Sequence, residues 1–498
     1  MKVLLVYPQY PDTFWSFKHA LRFISKKAAL PPLGLLTVAA MLPNEWEKKL
    51  IDMNTASLSD KDLKWADCVF VSAMLAQQSS VREIINRCKR LGSKIVAGGP
   101  LFASAEYVSF DDIDHVVMGE AEDMLPAIIQ DLEKGCAQHI YTAEERPDIT
   151  KTCVPLWSLI DKREYQSMSI QYSRGCPLDC EFCGVGALNG HTPRTKDKDQ
   201  IIAELETLYS VGWRGMVFLV DDNFIGNKRK LKSEILPAIS QWMTKKKHPF
   251  SLFTQTSINL SDDEELMRLM VEAGFDTVFV GIESPNKESL AECNKVVNKN
   301  RDLLASVRKI QNYGLQVQGG FIVGFDSDPP SIFKNQISFI QQSGIVTAMV
   351  GLLNAIPDTG LYKRLKKENR LLPGGSGDNT DGSINFIPKM GHEALLSGYK
   401  HILKAIYSPK QCYERIKIFL KEYQPKSKRR GKISPHYIIA LIKSMWVLGV
   451  KEKGRGYYWR LFVWTLVKKP KSLPLSITFA IEGFHFRKVA EKVHGLPH

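Results

Sequence analysis

The sequence predicts an α/β protein in three parts: a doubly wound amino-terminal domain, a central partial barrel of six βα units and a mostly helical carboxyl-terminal domain. Short apolar runs alternate with helical patterns over residues 1–135 and again, at a longer repeat, over 166–375. The length agrees, since 498 residues suffice for about three domains of roughly 150 residues each. We expect these domains at residues 1–140, 166–375 and 376–498.

The composition is that of a folded, soluble chain. With 44% hydrophobic and 24% charged residues, 34 glycines and 25 prolines, it excludes collagen, a coiled coil and general disorder. The opening apolar run is too short for a signal peptide, and Lys443 and Arg460 interrupt the best candidates for a membrane span, which needs about 18 apolar residues. Nine cysteines, an odd number, suit a reducing compartment better than a disulfide framework, so we expect a cytoplasmic protein.

Strands and helices alternate in the amino-terminal part as they do in a parallel, doubly wound sheet. We predict strands at residues 3–7, 50–53, 68–75 and 94–97, and helices at 33–42 and 81–91. Ligands bind such sheets outside the carboxyl ends of the strands, where the Gly98-Gly99 turn and residues 119–122 stand. Residues 136–165 are expected to be a connector, because Pro147 and Pro155 break helices.

The second alternation predicts the partial barrel. Its six strands are expected at residues 169–172, 216–220, 251–256, 277–281, 318–323 and 348–353. The chemistry of such barrels takes place on the loops that follow the carboxyl ends of the strands. A glycine-rich link at 374–378 then separates the barrel from helical patterns and a basic, aromatic tail.

Three cysteines carry the strongest chemical signal in the chain. Cys176, Cys180 and Cys183 are spaced four and three residues apart, so their thiolates can converge on one metal centre. Structural zinc prefers four protein ligands, and His191 as the fourth is the alternative that remains open. A 4Fe–4S cluster held by three cysteines instead leaves one iron free for an exchangeable ligand.

This Cys-x3-Cys-x2-Cys loop, placed after the first barrel strand, resembles that of the radical S-adenosylmethionine (SAM) superfamily. The resemblance implies that the three cysteines bind the cluster and that its open iron chelates the amino and carboxylate groups of SAM. One-electron reduction then cleaves SAM to methionine and a 5'-deoxyadenosyl radical. In this arrangement the cofactor supplies the difficult chemistry, and the protein supplies placement and the exclusion of water.

Later segments resemble the SAM-binding segments of that superfamily. They follow barrel strands and would contact the ammonium, the ribose or carboxylate, and the adenine, where missing side chains let a ring approach the backbone. The implied SAM residues are Phe182, Asp221, Asp222, Asn223, Glu283, Ser284, Gly320 and Gly324. Two alternatives stay open: the adjacent aspartates cap the next helix, and Phe182 packs in the core.

A doubly wound domain before such a barrel resembles the cobalamin-dependent class. Tyr7-Pro8 and the Pro-Pro-Leu-Gly run at 31–34 support the resemblance. The implied cobalamin residues are Asp52, Asn54, Ser72, Gly98 and Gly99. Position 54 is not the histidine that often supplies a lower axial ligand, so we expect base-off cobalamin. A generic doubly wound domain without cobalamin is the alternative.

Further runs resemble the subgroup that includes the hopanoid C-2 methylases, among them residues 14–18, 221–227, 281–285, 355–359 and 483–486. The resemblance implies a C-methyltransferase that acts on an unactivated carbon of a small molecule, most readily a lipid such as a hopanoid. It uses two SAM molecules per product, one to methylate cobalamin and one to form the radical. A reductant such as ferredoxin or flavodoxin is implied. The alternatives are ring formation or C–C coupling of a lipid or pigment without net methylation, and a non-catalytic iron–sulfur protein.

Most of the net charge of +14 lies in residues 421–498, which hold 17 Lys and Arg against 4 Glu. Ile438, Ile442, Met445 and Leu448 recur at helical spacing and predict an amphipathic helix. One interpretation packs this helix on the barrel, with its basic face in solvent. The other places the tail peripherally on the inner face of the membrane, where aromatic and basic residues favour anionic lipid. The tail has no recognisable nucleic-acid reader motif, so no nucleic-acid partner is expected.

Overall fold

Helices cover both faces of the first sheet, a parallel one. The structure is a computed structural model and describes residues 1–378, 380–424 and 435–495, with only the backbone of 435 and 436. The strands are β1 Lys2–Tyr7, β2 Glu47–Asp52, β3 Cys68–Ser72, β4 Lys94–Gly98, β5 His115–Met118 and β6 Ile140–Thr142. They lie in the order β2-β1-β3-β4-β5-β6. The side chains of Val3, Leu4, Leu5 and Val6 are wholly buried, as expected for a strand covered on both sides.

A second parallel sheet and a short hairpin follow. Their strands are β7 Ser167–Ile170, β8 Ser173–Arg174, β9 Arg194–Thr195, β10 Met216–Leu219, β11 Ser251–Thr256, β12 Phe275–Glu283, β13 Gln316–Val323 and β14 Ala348–Leu352. The sheet runs β7-β10-β11-β12-β13-β14, and β8 pairs with β9 antiparallel. Because β7 and β14 stand at opposite edges of six strands in chain order, the sheet is the predicted partial barrel.

The helices of the first two parts are α1 Lys18–Leu21, α2 Leu33–Met41, α3 Asp60–Trp65, α4 Gln78–Leu91, α5 Leu125–Lys134, α6 Val185–Asn189, α7 Lys198–Ser210, α8 Lys228–Lys230, α9 Leu236–Lys245, α10 Glu264–Ala273, α11 Lys287–Glu292, α12 Leu303–Asn312, α13 Ile332–Ser343 and α14 Gly360–Lys367. The carboxyl-terminal helices are α15 His392–Ile406, α16 Pro409–Glu422, α17 Pro435–Trp446, α18 Arg455–Lys468 and α19 Leu473–His494. Within the described ranges, no helix combines the length and apolar character needed to cross a bilayer.

The predicted strands stand within a few residues of the observed ones, and two differences have physical causes. The first barrel strand ends at Ile170 rather than 172, because the backbone amides of Tyr172 and Ser173 donate to the carboxylate of Asp221. The predicted connector contains β6, which extends the first sheet by pairing Val116 with Ile140.

The carboxyl-terminal tail contains the predicted helix α17, but the predicted packing stripe is wrong in part. Ile438 and Ile442 are 51% and 62% exposed, whereas Ala440, Ser444 and Leu448 are buried. The reason is that α17 packs on α19 and on the start of α18 through its small side chains. Positions 425–434 and 496–498 of the tail lie outside the described residues.

Candidate active site

The cysteine loop begins and ends at the hairpin of β8 and β9. Ser173 pairs with Thr195 and Arg174 with Arg194, so residues 175–193 leave and rejoin the barrel at one place. Gly175 adopts φ +94°, and a β-carbon there would lie 2.9 Å from the carbonyl oxygens of Gly190 and Thr192. Only glycine therefore allows the two ends of the loop to lie this close.

Two aspartates after β10 anchor this loop. Asp221 is wholly buried and accepts from the hydroxyl of Ser173 at 2.6 Å, and burial raises its pKa to about 7. Asp222 accepts from the amide of Gly175 at 2.8 Å and from the side chain of Asn189 at 2.9 Å. Burial also raises the pKa of Asp222. The predicted SAM ligands Asp221 and Asp222 thus stand where they hold both ends of the cysteine loop.

Asn223 links the same segment to the first cysteine. Its side-chain amide donates to the sulfur of Cys176 at 3.8 Å, and its oxygen accepts from the amide of Ser257 at 3.2 Å. A side chain held in this way fixes the direction from which a ligand sulfur is presented.

The three cysteine thiols lie close enough to affect one another. Burial raises the pKa of Cys180 to about 12, and the neighbouring Cys183 and Cys176 add to the rise. Burial also raises the pKa of Cys183, with Cys176 again contributing. In the part of the chain that the structure describes, no three Cys, His, Asp or Glu side chains are grouped tightly enough for a single metal ion. The three sulfurs stand on one half-buried loop, and cysteine thiolates are the usual ligands of iron–sulfur clusters.

A buried ion pair lies beside these thiols. Lys295 Nζ is 2.8 Å from Glu283 Oε1, and both side chains are about 10% exposed or less. Burial alone would lower the pKa of Lys295, but Glu283, Cys180 and Cys183 together raise it above its usual value. A β-carbon on Gly281 would lie 3.0 Å from this ammonium, so the glycine makes room for the pair. The site therefore holds a permanent positive charge next to three groups that are negative when they bind iron.

Two glycines let other side chains pack closely on the inner face of the barrel next to this pair. Gly281 of β12 and Gly320 of β13 are register partners. A β-carbon on Gly320 would lie 2.9 Å from the ring of Phe279. Since alternate residues of a strand share a face, Phe279 and Gly281 line the same side, opposite the core residues Val278 and Val280.

Aromatic side chains continue this inner face. The indole of Trp15 approaches the ring of Phe279 with centroids 5.1 Å apart, although Trp15 belongs to the segment that follows the first strand of the other sheet. Phe218 and Phe253, on neighbouring barrel strands, stack at 4.5 Å. These rings share the inner face with polar register partners, which are Ser169 beside Phe218, Thr277 beside Phe253, and Gln255 and Gln318 beside Phe279.

The remaining predicted SAM residues lie along the same edge. Ser284 is wholly buried directly after Glu283. Gly324 adopts φ +113°, and its amide donates to Asp328 at 2.8 Å. Burial raises the pKa of Asp328 to about 6. Phe182 is half-buried, and the centre of its ring lies 6.1 Å from that of Phe325. Its ring therefore packs partly on the core and keeps a surface that a ligand can contact.

Asp52 and Asn54 follow the second strand of the first sheet. Asp52 accepts from Asn54 and from the hydroxyl of Tyr165, at 2.7 Å and 2.9 Å. Burial raises the pKa of Asp52. Asn54 also accepts from the amide of Tyr10 at 2.9 Å and donates to the carbonyl of Pro8 at 3.2 Å. The amide of Asn54 is therefore fully engaged by protein groups.

Ser72, Gly98 and Gly99 meet at the next two strands. Gly99 adopts φ +90°, and a β-carbon there would lie 2.7 Å from the hydroxyl of Ser72. A β-carbon on Gly98 would meet only ordinary contacts, the nearest at 3.6 Å. Gly99 and Ser72 thus approach each other closely at the carboxyl edge of the sheet.

An ion cluster joins this edge to the cysteine loop. Arg174 of the hairpin lies 2.6 Å from Glu120 and 2.7 Å from Glu122, and Arg194 contacts Glu120 at 2.5 Å. Glu120 and Glu122 follow the fifth strand of the first sheet. The carboxyl ends of the two sheets therefore face each other across the region where the predicted ligands would meet.

Lys295, Trp15 and Arg174 are the residues that sequence reasoning missed. Lys295 lies in a loop with no local pattern, and its partner is 12 positions away. Trp15 lies in residues 14–18, which the sequence marked only as similar to the hopanoid methylase subgroup. Arg174 directly precedes Gly175 and Cys176, and this position next to the cysteine motif is the sequence signal that could have pointed to it.

Comparison with known proteins identifies the same parts. The Radical SAM superfamily matches residues 170–339, the B12 binding domain matches 23–129, and a domain of unknown function matches 359–496. The chain is 40% identical over 498 residues to an uncharacterized methyltransferase of Synechocystis sp., covering 99% of this chain and 92% of that protein. It is 33% identical over 478 residues to the hopanoid C-2 methylase of Rhodopseudomonas palustris, covering 94% and 90%.

A solved structure has a similar fold. The cobalamin-dependent S-adenosylmethionine radical enzyme OxsB, with aqua-cobalamin bound, matches with a TM-score of 0.64 at 14% identity. The match covers 99% of this chain and 80% of that one, so the likeness includes both sheets and the helical carboxyl-terminal part.

Proposed function

We propose a lipid as the substrate of this chain, which belongs to the cobalamin-dependent radical SAM methyltransferases. Its cofactors are a 4Fe–4S cluster, SAM and cobalamin. When bound, these groups supply hydrogen abstraction from an unactivated carbon and the methyl group that replaces the hydrogen. The protein must then hold an apolar substrate between the two sheets and keep water away from it.

The cluster is assigned to Cys176, Cys180 and Cys183. Asn223 orients the sulfur of Cys176, and Lys295 offsets the negative charge that three thiolates bring to the site. His191, the fourth ligand of the zinc alternative, is exposed and lies 3.9 Å from Asp179, which favours the cluster.

SAM is assigned to the edge of the barrel beside the cluster. Its proposed residues are Phe182, Asp221, Asp222, Asn223, Glu283, Ser284, Gly320 and Gly324. Asp221 and Asp222 act by holding the cysteine loop in place, since both carboxylates already accept hydrogen bonds from it. Gly281 and Gly320 are register partners, and their missing side chains make room for the Lys295–Glu283 pair and for the ring of Phe279 at this edge.

Cobalamin is assigned to the carboxyl edge of the first sheet, at Asp52, Asn54, Ser72, Gly98 and Gly99. Because Asn54 stands in place of an imidazole and its amide is occupied, this loop supplies no lower axial nitrogen. The absorption spectrum of the bound cofactor is expected to show the base-off form. A spectrum with a protein nitrogen on cobalt would contradict this assignment.

The aromatic lining of the barrel is the observation that carries the choice of a lipid. Phe218, Phe253, Phe279 and Trp15 place a group of aromatic rings on the inner face, beside a few polar side chains such as Thr277 and Gln318. Such a lining binds an apolar, ring-bearing molecule by excluding water from both surfaces. Similarity to a hopanoid C-2 methylase over 94% of the chain supports the same class.

A lipid substrate also sets where the enzyme works. We extend the proposal to peripheral contact of residues 421–498 with the inner face of the membrane, where such a substrate is dissolved. Ferredoxin or flavodoxin is the proposed source of electrons. Ring formation without methylation has no observation in its favour here.

Mass spectrometry of lipids and pigments from a deletion strain tests the proposal. The strain is complemented with the wild-type chain or with Cys183→Ala, which lacks a cluster ligand. A lipid heavier by one methylene should appear with the wild type and be missing with the variant. A missing pigment or a missing water-soluble product, with all lipids unchanged, would overturn the choice of substrate.

A further inference from the structure

Helix α17 and the π-helical turn that continues it, Val447–Lys451, turn a stripe of large apolar side chains away from the protein. Ile438, Ile442, Trp446 and Val450 recur every four residues and are 51%, 62%, 56% and 47% exposed. Ile439 beside them is 42% exposed. We call these five residues the outer stripe. Single exposed apolar residues are ordinary, but a continuous row of this length marks a surface that meets something.

The helix is nevertheless firmly attached on its other side. Ala440, Ser444 and Leu448 are buried, and the hydroxyl of Ser444 lies 2.9 Å from that of Tyr458 on α18. Lys443 Nζ donates to the carbonyl of Arg22 at 2.9 Å and to Ser25 at 3.0 Å. The outward direction of the stripe is therefore set by packing on both sides of it.

The sequence around the stripe is strongly basic. Between residues 437 and 471 the chain has eight Lys and Arg but only Glu452 as an acid. Glu452 is already paired, 2.7 Å from Arg487. Lys451 lies over the ring of Trp446 at 5.4 Å, so an apolar contact and a cation stand side by side at one end of the stripe. This combination favours a partner that is apolar inside and negative at its surface.

We propose that the outer stripe enters the boundary between headgroups and acyl chains of an anionic membrane, with α17 lying in the plane of that membrane. The inference rests on the proposed function only for the identity of the partner, a membrane that dissolves the substrate. The depth is shallow, because an interfacial helix buries its apolar face by roughly 5–10 Å. A basic segment around the stripe then meets the phosphates of the lipids.

A second copy of the chain fits this surface less well. A symmetric dimer would place the same stripe on both sides of the contact and bring two strongly basic surfaces together. Anionic lipid has the opposite charge and removes that repulsion.

Co-sedimentation of the full-length holoenzyme with vesicles tests the inference. The vesicles contain phosphatidylcholine alone or phosphatidylcholine with phosphatidylglycerol, at low and high salt. Ile442→Asp combined with Trp446→Ser should lower binding to the anionic vesicles by about tenfold or more. Ile387→Asp is the matched control, because Ile387 is 52% exposed but lies outside the tail. Binding of the wild type should weaken with salt.

Three outcomes would overturn the inference: equal binding by the double variant and the wild type, equal binding to both kinds of vesicle, or a wild-type dimer in solution that the double variant abolishes. Methylation of a detergent-dissolved lipid extract separates this inference from the proposed function. A double variant that methylates the lipid extract but no longer binds the vesicles supports both the membrane contact of the outer stripe and the proposed function. If the wild type binds vesicles but methylates no lipid, the membrane contact of the outer stripe stands and the proposed lipid substrate is wrong.

Discussion

The ammonium of Lys295 lies 2.8 Å from the carboxylate of Glu283, and the pair is buried beside Cys180 and Cys183. The chain thus keeps one permanent cation next to the thiols that would carry the cluster. Burying a charge is costly unless it is paired, so each member of this pair depends on the other.

Replacing Lys295 with Gln should lower the free energy of unfolding by about 3–5 kcal/mol, because Glu283 is left buried without a partner. Cluster retention should also fall, since the positive charge beside the thiolates is lost. Lys295→Arg keeps the charge and serves as the control. Chemical denaturation and iron content, measured anaerobically, check both effects, and a Gln variant that matches the wild type in both would contradict them.

Replacing Cys176, Cys180 or Cys183 with Ala should abolish reductive cleavage of SAM, because two thiolates hold a cluster poorly. Cys136 is an exposed cysteine on another part of the chain, and Cys136→Ala should behave as the wild type. The measurement is 5'-deoxyadenosine formed under reduction, together with iron content. Formation of 5'-deoxyadenosine by a triple variant would refute the assignment of the cluster.

Gly99→Ala should weaken cobalamin binding, whereas Gly98→Ala should change it little. The new β-carbon at position 99 would lie 2.7 Å from the hydroxyl of Ser72 and would sit on a backbone with φ +90°. At position 98 the nearest atom is 3.6 Å away. Cobalamin retained after desalting, read from its absorption, measures the difference. Equal loss in both variants would argue against a specific role of the close approach between Gly99 and Ser72.

His485 should make the protein less stable in mild acid. Its ring is wholly buried, Nε2 donates to the carbonyl of Phe14 at 3.1 Å, and burial lowers its pKa to about 4. The unfolded chain takes up the proton near pH 6.5, so the stability from this group is complete above that pH and falls as the pH drops toward 4. The loss between pH 7 and pH 5 is about 2 kcal/mol.

The matched variant is His485→Gln, whose amide still donates to Phe14 but does not titrate. Its unfolding free energy should change less between pH 7 and pH 5 than that of the wild type. The groups that face His485 from other elements are His19 and Asp12, and neither is altered by the change. Parallel pH profiles of variant and wild type would rule out the buried imidazole as the source.

The fold was predictable because its signals are local. The unbroken apolar run Val3–Val6 indicates a strand that is buried on both faces, and the alternation along β13 indicates a strand that is buried on one face. Both patterns depend only on neighbouring residues. The cysteine spacing is equally local, and three ligands within eight residues can converge in few ways. The candidate site was predictable in its motifs but not in its contacts. Asp221 and Asp222 were expected at SAM, and no spacing along the chain could show that both hold the cysteine loop.

The sequence by itself determined the strands, the cysteine loop and the glycine turns, since each depends on residues a few positions apart. Only the tertiary structure decided that Phe14 meets His485, 471 positions later, that Lys295 stands beside the cysteines, and that Ile442 faces outward. The physical reason is that burial and pairing depend on which surface another part of the chain covers. A helix with apolar residues around most of its circumference, such as α17, has several faces that could pack, and its neighbours select the one with the smallest side chains.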